Sequence, residues 1–139
     1  MKGDTIMTIT SRILEGNERI NFPARIFGIH FPFRIEPFIF NMARNLSRDY
    51  SGGTWQMHKL SNNGFLMIPE SDQQYHVVSQ NGYQGYMTAD AFGVTTCLYA
   101  YSHLSFSEEL ADVCGEQFHM LRAFALLHSK VRDIFAAID

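Results

Sequence analysis

The chain has 139 residues, 46% of them hydrophobic and 18% charged, with a formal net charge of −3. That length suits one domain able to bury its own core without staples, and the composition excludes a disordered chain. The eleven basic residues are scattered, which argues against direct nucleic-acid binding. The fourteen carboxylates are too dispersed to imitate DNA, which carries one negative charge per roughly 1.7 Å of axis.

Residues 1–18 are polar and weakly patterned, and are expected to be a weakly ordered N-terminal segment before a single domain spanning 19–139. No apolar h-region follows Lys2, so no secretory signal is expected. From Asn21 to Glu36, Phe residues mix with Pro23 and Pro32, which reads as an ordered aromatic loop or short helical turns. A helix is then predicted from Pro37, which suits a first helical position, with Ile39, Met42, Ala43, Leu46 and Tyr50 on one stripe. Its outer face carries Asn41, Arg44, Asn45 and Arg48.

Ser51-Gly52-Gly53 stops that helix, and strands follow. Thr54 to Leu60 alternates, with Trp55 and Met57 on one face and Gln56 and His58 on the other. Asn62-Asn63-Gly64 supplies a hairpin turn, and Phe65 to Ile68 is a continuous apolar strand closed by Pro69. Tyr75–Ser79 and Tyr83–Met87 form a second hairpin around Asn81-Gly82, so one antiparallel meander of three to four strands is expected. Thr88 is the predicted N-cap of a helix from Ala89 to about Leu104. Being apolar almost all round, that helix belongs in the middle of the protein, with Trp55 packed against it.

Ser107 is read as the cap of the next helix, whose stripe is Leu110, Cys114, Phe118, Leu121 and Ala125, with a bend at Gly115. Ser129 opens a short closing helix buried through Val131, Ile134, Phe135 and Ile138. The predicted class is therefore α+β: a small antiparallel sheet packed with about four to five helices. The charge-free stretch from Ala91 to Phe106 is shorter than the roughly 18 apolar residues of a membrane span. With Cys97 and Cys114 read as reduced core thiols, a cytoplasmic protein without membrane contact is expected.

Searched for chemistry, the sequence yields little. The six histidines include no pair at helical i, i+4 spacing, and there is no HExxH, CxxC, GxSxG or phosphate loop. Neither catalytic residue, metal site nor cofactor is assigned. The alternative is a small enzyme or ligand-binding domain that uses the sheet histidines His58 and His76 near Asp90. Two acids of the closing helix, Asp133 and Asp139, and two cations, Arg44 and Arg48, are the candidate partner contacts. Asp139 opposes the helix dipole where a lysine would favour it.

Four blocks stand in a distinctive order: Tyr50-Ser51-Gly52-Gly53-Thr54-Trp55, then the Leu60–Pro69 hairpin, the Asn81–Gly93 joint, and the Leu121–Asp139 ending. Together with Arg19, Phe22-Pro23 and Phe27-Gly28, they resemble the ArdB/KlcA family of antirestriction proteins over residues 19–139. Thr54 stands where an aromatic is common and Asn63 where a glycine is common. The resemblance implies a compact α/β protein, carried on mobile DNA such as plasmids, that relieves type I restriction of incoming unmodified DNA. It implies a non-catalytic interaction protein, not a charge mimic of DNA. The implied partner is a type I restriction-modification complex or a linked host factor.

Overall fold

The computed structural model describes residues 8–139; part of the expected weakly ordered segment, residues 1–7, lies outside them. From Ser11 the chain belongs to the fold. Strand β1 (Ser11–Ile13) pairs antiparallel with β2 (Trp55–Leu60), Ser11 opposite Leu60 and Ile13 opposite His58, and Leu14 is fully buried behind it.

The stretch 21–36 is helical where a loop or short turns were expected. Helix α1 (Glu18–Phe27) contains Pro23, and a single π turn (Phe31–Ile35) runs without a break into α2 (Glu36–Leu46). The cause is the placement of Pro37. In a regular α-helix its ring would collide with the carbonyl of Phe33, four residues back. Widening the turn, so that the Glu36 amide donates to the Phe31 carbonyl, accommodates the ring and keeps the helix continuous. Pro37 therefore sits inside a helical stretch and does not start one. The stripe Ile39, Met42, Ala43 and Leu46 is buried as expected, but the helix stops at Leu46 and Tyr50 reaches the core from the following turn.

The strands are antiparallel as expected but divide into two sheets. One holds β1, β2 and β3 (Phe65–Pro69); the other is the hairpin of β4 (Tyr75–Val78) and β5 (Gln84–Met87). Asn63, with φ 75°, makes the β2–β3 turn in the left-handed conformation that asparagine tolerates, which accounts for its standing at a glycine position. The outer edge of β3 is closed by helices in place of a fourth strand. The Phe65 amide donates to Gln117 Oε1 at 2.8 Å, the Tyr101 hydroxyl donates to the Phe65 carbonyl at 2.7 Å, and Cys97 Sγ reaches the Met67 carbonyl at 3.6 Å. Phe65, Met67 and Pro69 alternate onto the same edge, and Pro69 has no amide to leave unpaired there.

Helix α3 (Ala89–Leu104) lies against this edge and is buried on nearly every side. Gly93, Cys97 and Tyr101 form its contact stripe at i, i+4 and i+8. A Cβ at Gly93 would fall 2.5 Å from the Met67 carbonyl and 2.9 Å from the Ile68 Cα, so only glycine permits this approach. Thr88 does not accept a helix amide; its hydroxyl donates to Asp90 instead. Trp55 is buried beside Phe92 of α3, and its indole N–H donates to the Tyr50 hydroxyl at 3.1 Å.

Helix α4 begins at Ala111, later than a Ser107 cap implied, because residues 107–110 form a separate turn; it then runs through Gly115 to Ala125. Helix α5 (Val131–Ile138) closes the chain and buries Ile134 and Ala137. Cys97 and Cys114 are free, buried thiols, pushed up by burial to about 12 and about 11 respectively. Among the described residues no helix is long and apolar enough to cross a membrane.

Two substitutions check this packing. Gly93→Ala gains about 1 kcal/mol of helix propensity, yet it should lower stability by a net of about 1–3 kcal/mol because a strand backbone must move. Trp55→Ala should cost about 3–5 kcal/mol through the cavity it leaves. Urea unfolding of each variant measures both.

Candidate functional site

The structure disperses the residues of the enzyme alternative. His58, on β2, lies with Nδ1 2.8 Å from Ser11 Oγ and Nε2 3.0 Å from Gln56 Oε1. The amide oxygen can only accept, so Nε2 carries a proton, and the serine hydroxyl is able to donate to Nδ1 of a neutral ring. Burial lowers its pKa, in keeping with that state. His76 belongs to the other sheet, its ring 4.9 Å from that of Tyr86. Asp90 meets neither histidine.

Its partner is His128, which the sequence reading missed because it lies 38 positions away, beyond α4. The Lys130 amide donates to His128 Nδ1, so Nε2–H points at Asp90 Oδ2, 2.9 Å distant. Burial would raise the Asp90 pKa, but hydrogen bonds from Thr88 and His128 outweigh it and hold the group low. The pair fastens the start of α3 to the turn between α4 and α5. It borders no cavity shared with His58 or His76. A shallow cleft of ≈ 440 Å³ does reach Asp90, along with Gln56, Glu70, Asp72 and Gln73, without either sheet histidine.

The four candidate contacts occupy separate surroundings. Arg44 is exposed, bonded to Asn41 at 3.1 Å, its guanidinium 5.8 Å from the Tyr50 ring centre. Arg48 lies past the end of α2, beside Asp49, His76 and Val78. Asp133 accepts a hydrogen bond from the Tyr83 hydroxyl at 3.2 Å. Asp139 is exposed next to Arg122 and His103. No contact joins the arginines to the aspartates.

An apolar surface groove is not singled out by the sequence. A groove of ≈ 500 Å³ runs between α1, the π turn and the sheet, lined by Ile20, Pro23, Ile29, Phe31, Pro32 and Met57, with Arg19 and Glu36 as its charged members. Ile20 and Ile29 stand on its lips 69% and 68% exposed, and Phe33, next to Pro32, is 72% exposed. Arg19 donates to the Trp55 carbonyl at 3.3 Å. Burial raises the Glu36 pKa, and Arg19 only partly offsets it. The signal available in the sequence was the run of isoleucine and phenylalanine in 20–33, which exceeds what an ordinary loop would carry.

The Antirestriction protein family model matches residues 48–139, and the chain belongs to that family. Among its relatives, the antirestriction protein KlcA of Escherichia coli occurs at 30% identity over 94% of this chain and 95% of its own length, and at 34% over 94% and 93%. A solved structure overlays with a TM-score of 0.88 at 28% identity, covering 99% of both chains. It comes from work on the KlcA and ArdB proteins, described as showing a novel fold and antirestriction activity against type I DNA restriction systems in vivo but not in vitro.

His58 gives a pH test. Its folded pKa is depressed, so between that value and the ordinary one of about 6.5 the unfolded chain binds more protons. Stability should therefore fall as pH drops below about 6.5. Thermal melts at neutral and mildly acidic pH should show a smaller decline for His58→Gln than for the wild type.

Proposed function

We propose that this protein relieves type I restriction of incoming unmodified DNA by binding in the cytoplasm, without chemistry of its own. The observation that carries this reading is the overlay along 99% of both chains with a KlcA/ArdB structure whose proteins have that activity in vivo. The dispersal of His58, His76 and Asp90 supports a non-catalytic role. Activity of those relatives in vivo but not in vitro favours a target present in the working cell: the type I complex in its acting state, or a host factor linked to it. The net charge of −3 fits a partner contact of limited area better than imitation of a DNA duplex.

Plating of unmodified phage on a host with a type I system is the test. Expression should raise plating there and do much less on a host with a simple type II enzyme; equal plating with and without the protein on the type I host would sink the reading. Asp139 is proposed as one contact. Asp139→Asn removes a charge that opposes the α5 dipole, so thermal stability should be unchanged or slightly higher, while relief of restriction should fall. Full relief by the variant removes Asp139 from the contact surface.

A further inference from the structure

The apolar groove beside α1 has three properties that together specify an occupant. Its walls are almost wholly hydrocarbon, and its lips, Ile20 and Ile29, leave most of their side chains in water. Covering such surface is favourable in proportion to the apolar area removed from water. The groove is open along one side, and exposed Phe33 extends the apolar surface past Pro32. That shape suits a chain segment lying across it better than an enclosed small molecule. The third property is Glu36, whose partly buried carboxylate lines the groove and makes no hydrogen bond or ion pair among the described residues. The groove's other charged residue, Arg19, donates to the Trp55 carbonyl and favours the Glu36 carboxylate only through space, without a hydrogen bond to it.

A partly desolvated anion without a donor, set in an apolar wall, selects a cation that arrives with apolar neighbours. We propose that this groove seats an apolar segment of a partner protein that carries a lysine or arginine, with Glu36 as the contact for that cation. The proposal rests on the reading of this chain as an interaction protein and names the chemistry of what it binds. The π turn supports it structurally: the turn supplies both Phe31 and Pro32 to the wall and places Glu36 directly after it. Such turns recur at functional sites.

The test titrates isotope-labelled protein with three designed amphipathic helical peptides while backbone amide shifts are followed. One has a leucine face and lysines, the second the same leucine face with glutamates, and the third lysines with serine in place of leucine. The Leu/Lys peptide should shift residues 20–36 and Met57 saturably, and the other two should not. Glu36→Gln should weaken Leu/Lys binding by about tenfold or more. Ile20→Ser combined with Ile29→Ser should abolish it, with the fold retained in the amide spectrum because both side chains are mostly exposed. Equal binding of the Leu/Glu peptide, an undiminished Glu36→Gln variant, or shifts confined to another face overturns the proposal.

In the plating assay the same variants should lose relief of restriction. If the wild type relieves restriction and both variants do so equally well, the groove assignment fails while the proposed function stands. If the wild type gives no relief, the proposed function fails and the peptide titration alone decides the groove. Sedimentation that shows a wild-type dimer dissociated by the double isoleucine variant would make the occupant a second copy and overturn the partner assignment.

Discussion

A three-stranded sheet leaves two edges, and an uncovered edge offers unpaired amides and carbonyls to any other strand. Here the β3 edge is closed by side chains: Gln117 from α4, Tyr101 and Cys97 from α3. Each such bond contributes only about 0.5–1.5 kcal/mol net, but a buried group left unmade costs about 1–3 kcal/mol. The closure in turn requires α3 to come within reach of strand backbone, which Gly93 alone permits. Much of the remaining architecture follows from that approach. With α3 on the edge, β4 cannot add to β3, so the second hairpin forms its own sheet and stacks Tyr75 on Phe92 of α3 at 4.5 Å.

Phe65 links this closure to the groove. Its backbone is held by Gln117 and Tyr101, while its ring meets Phe22, Phe27 and Phe31 at centroid distances of 6.2, 5.9 and 5.4 Å. Those three rings come from α1 and the π turn, whose other sides form the groove wall. The wall is thereby anchored to the first residue of the most constrained strand. A surface fixed in this way loses little freedom on binding, so more of the contact energy appears as affinity.

Regular elements with one dominant signal were legible in the sequence. The largely apolar run from Ala89 to Leu104 is a central helix with the expected bounds, and alternation in 54–60 places Trp55 and Met57 inside. Where two signals competed, the weaker reading was chosen. Pro23 and Pro32 point to a loop or short turns over 21–36 and Pro37 to a helix start, whereas burial of Phe22, Phe27, Phe31 and Ile35 outweighs them and a wide turn absorbs the conflict. The two-sheet arrangement was illegible because it depends on Gly93, Cys97 and Tyr101, which carry no strand signal at all. Asp90–His128 joins distant segments that spacing along the chain does not encode, whereas the groove around Glu36 is built almost wholly from residues 19–36, and the isoleucines and phenylalanines of 20–33 are its signal.

The π turn amounts to one more residue than a regular α-helix would use to cover the same ground. Deleting a single residue from 31–35, together with replacing Pro37 so that no ring meets the carbonyl four residues back, would allow α geometry, at about 100° of rotation per residue in a helix with 3.6 residues per turn. Helix α2 is held by its buried stripe of Ile39, Met42, Ala43 and Leu46, so the rotation would fall on the segment before it. Ile29 and its neighbours would swing to a different bearing while the core kept its register. A one-residue length change at this place, with Pro37 replaced, would therefore redirect the groove without redesign of the fold.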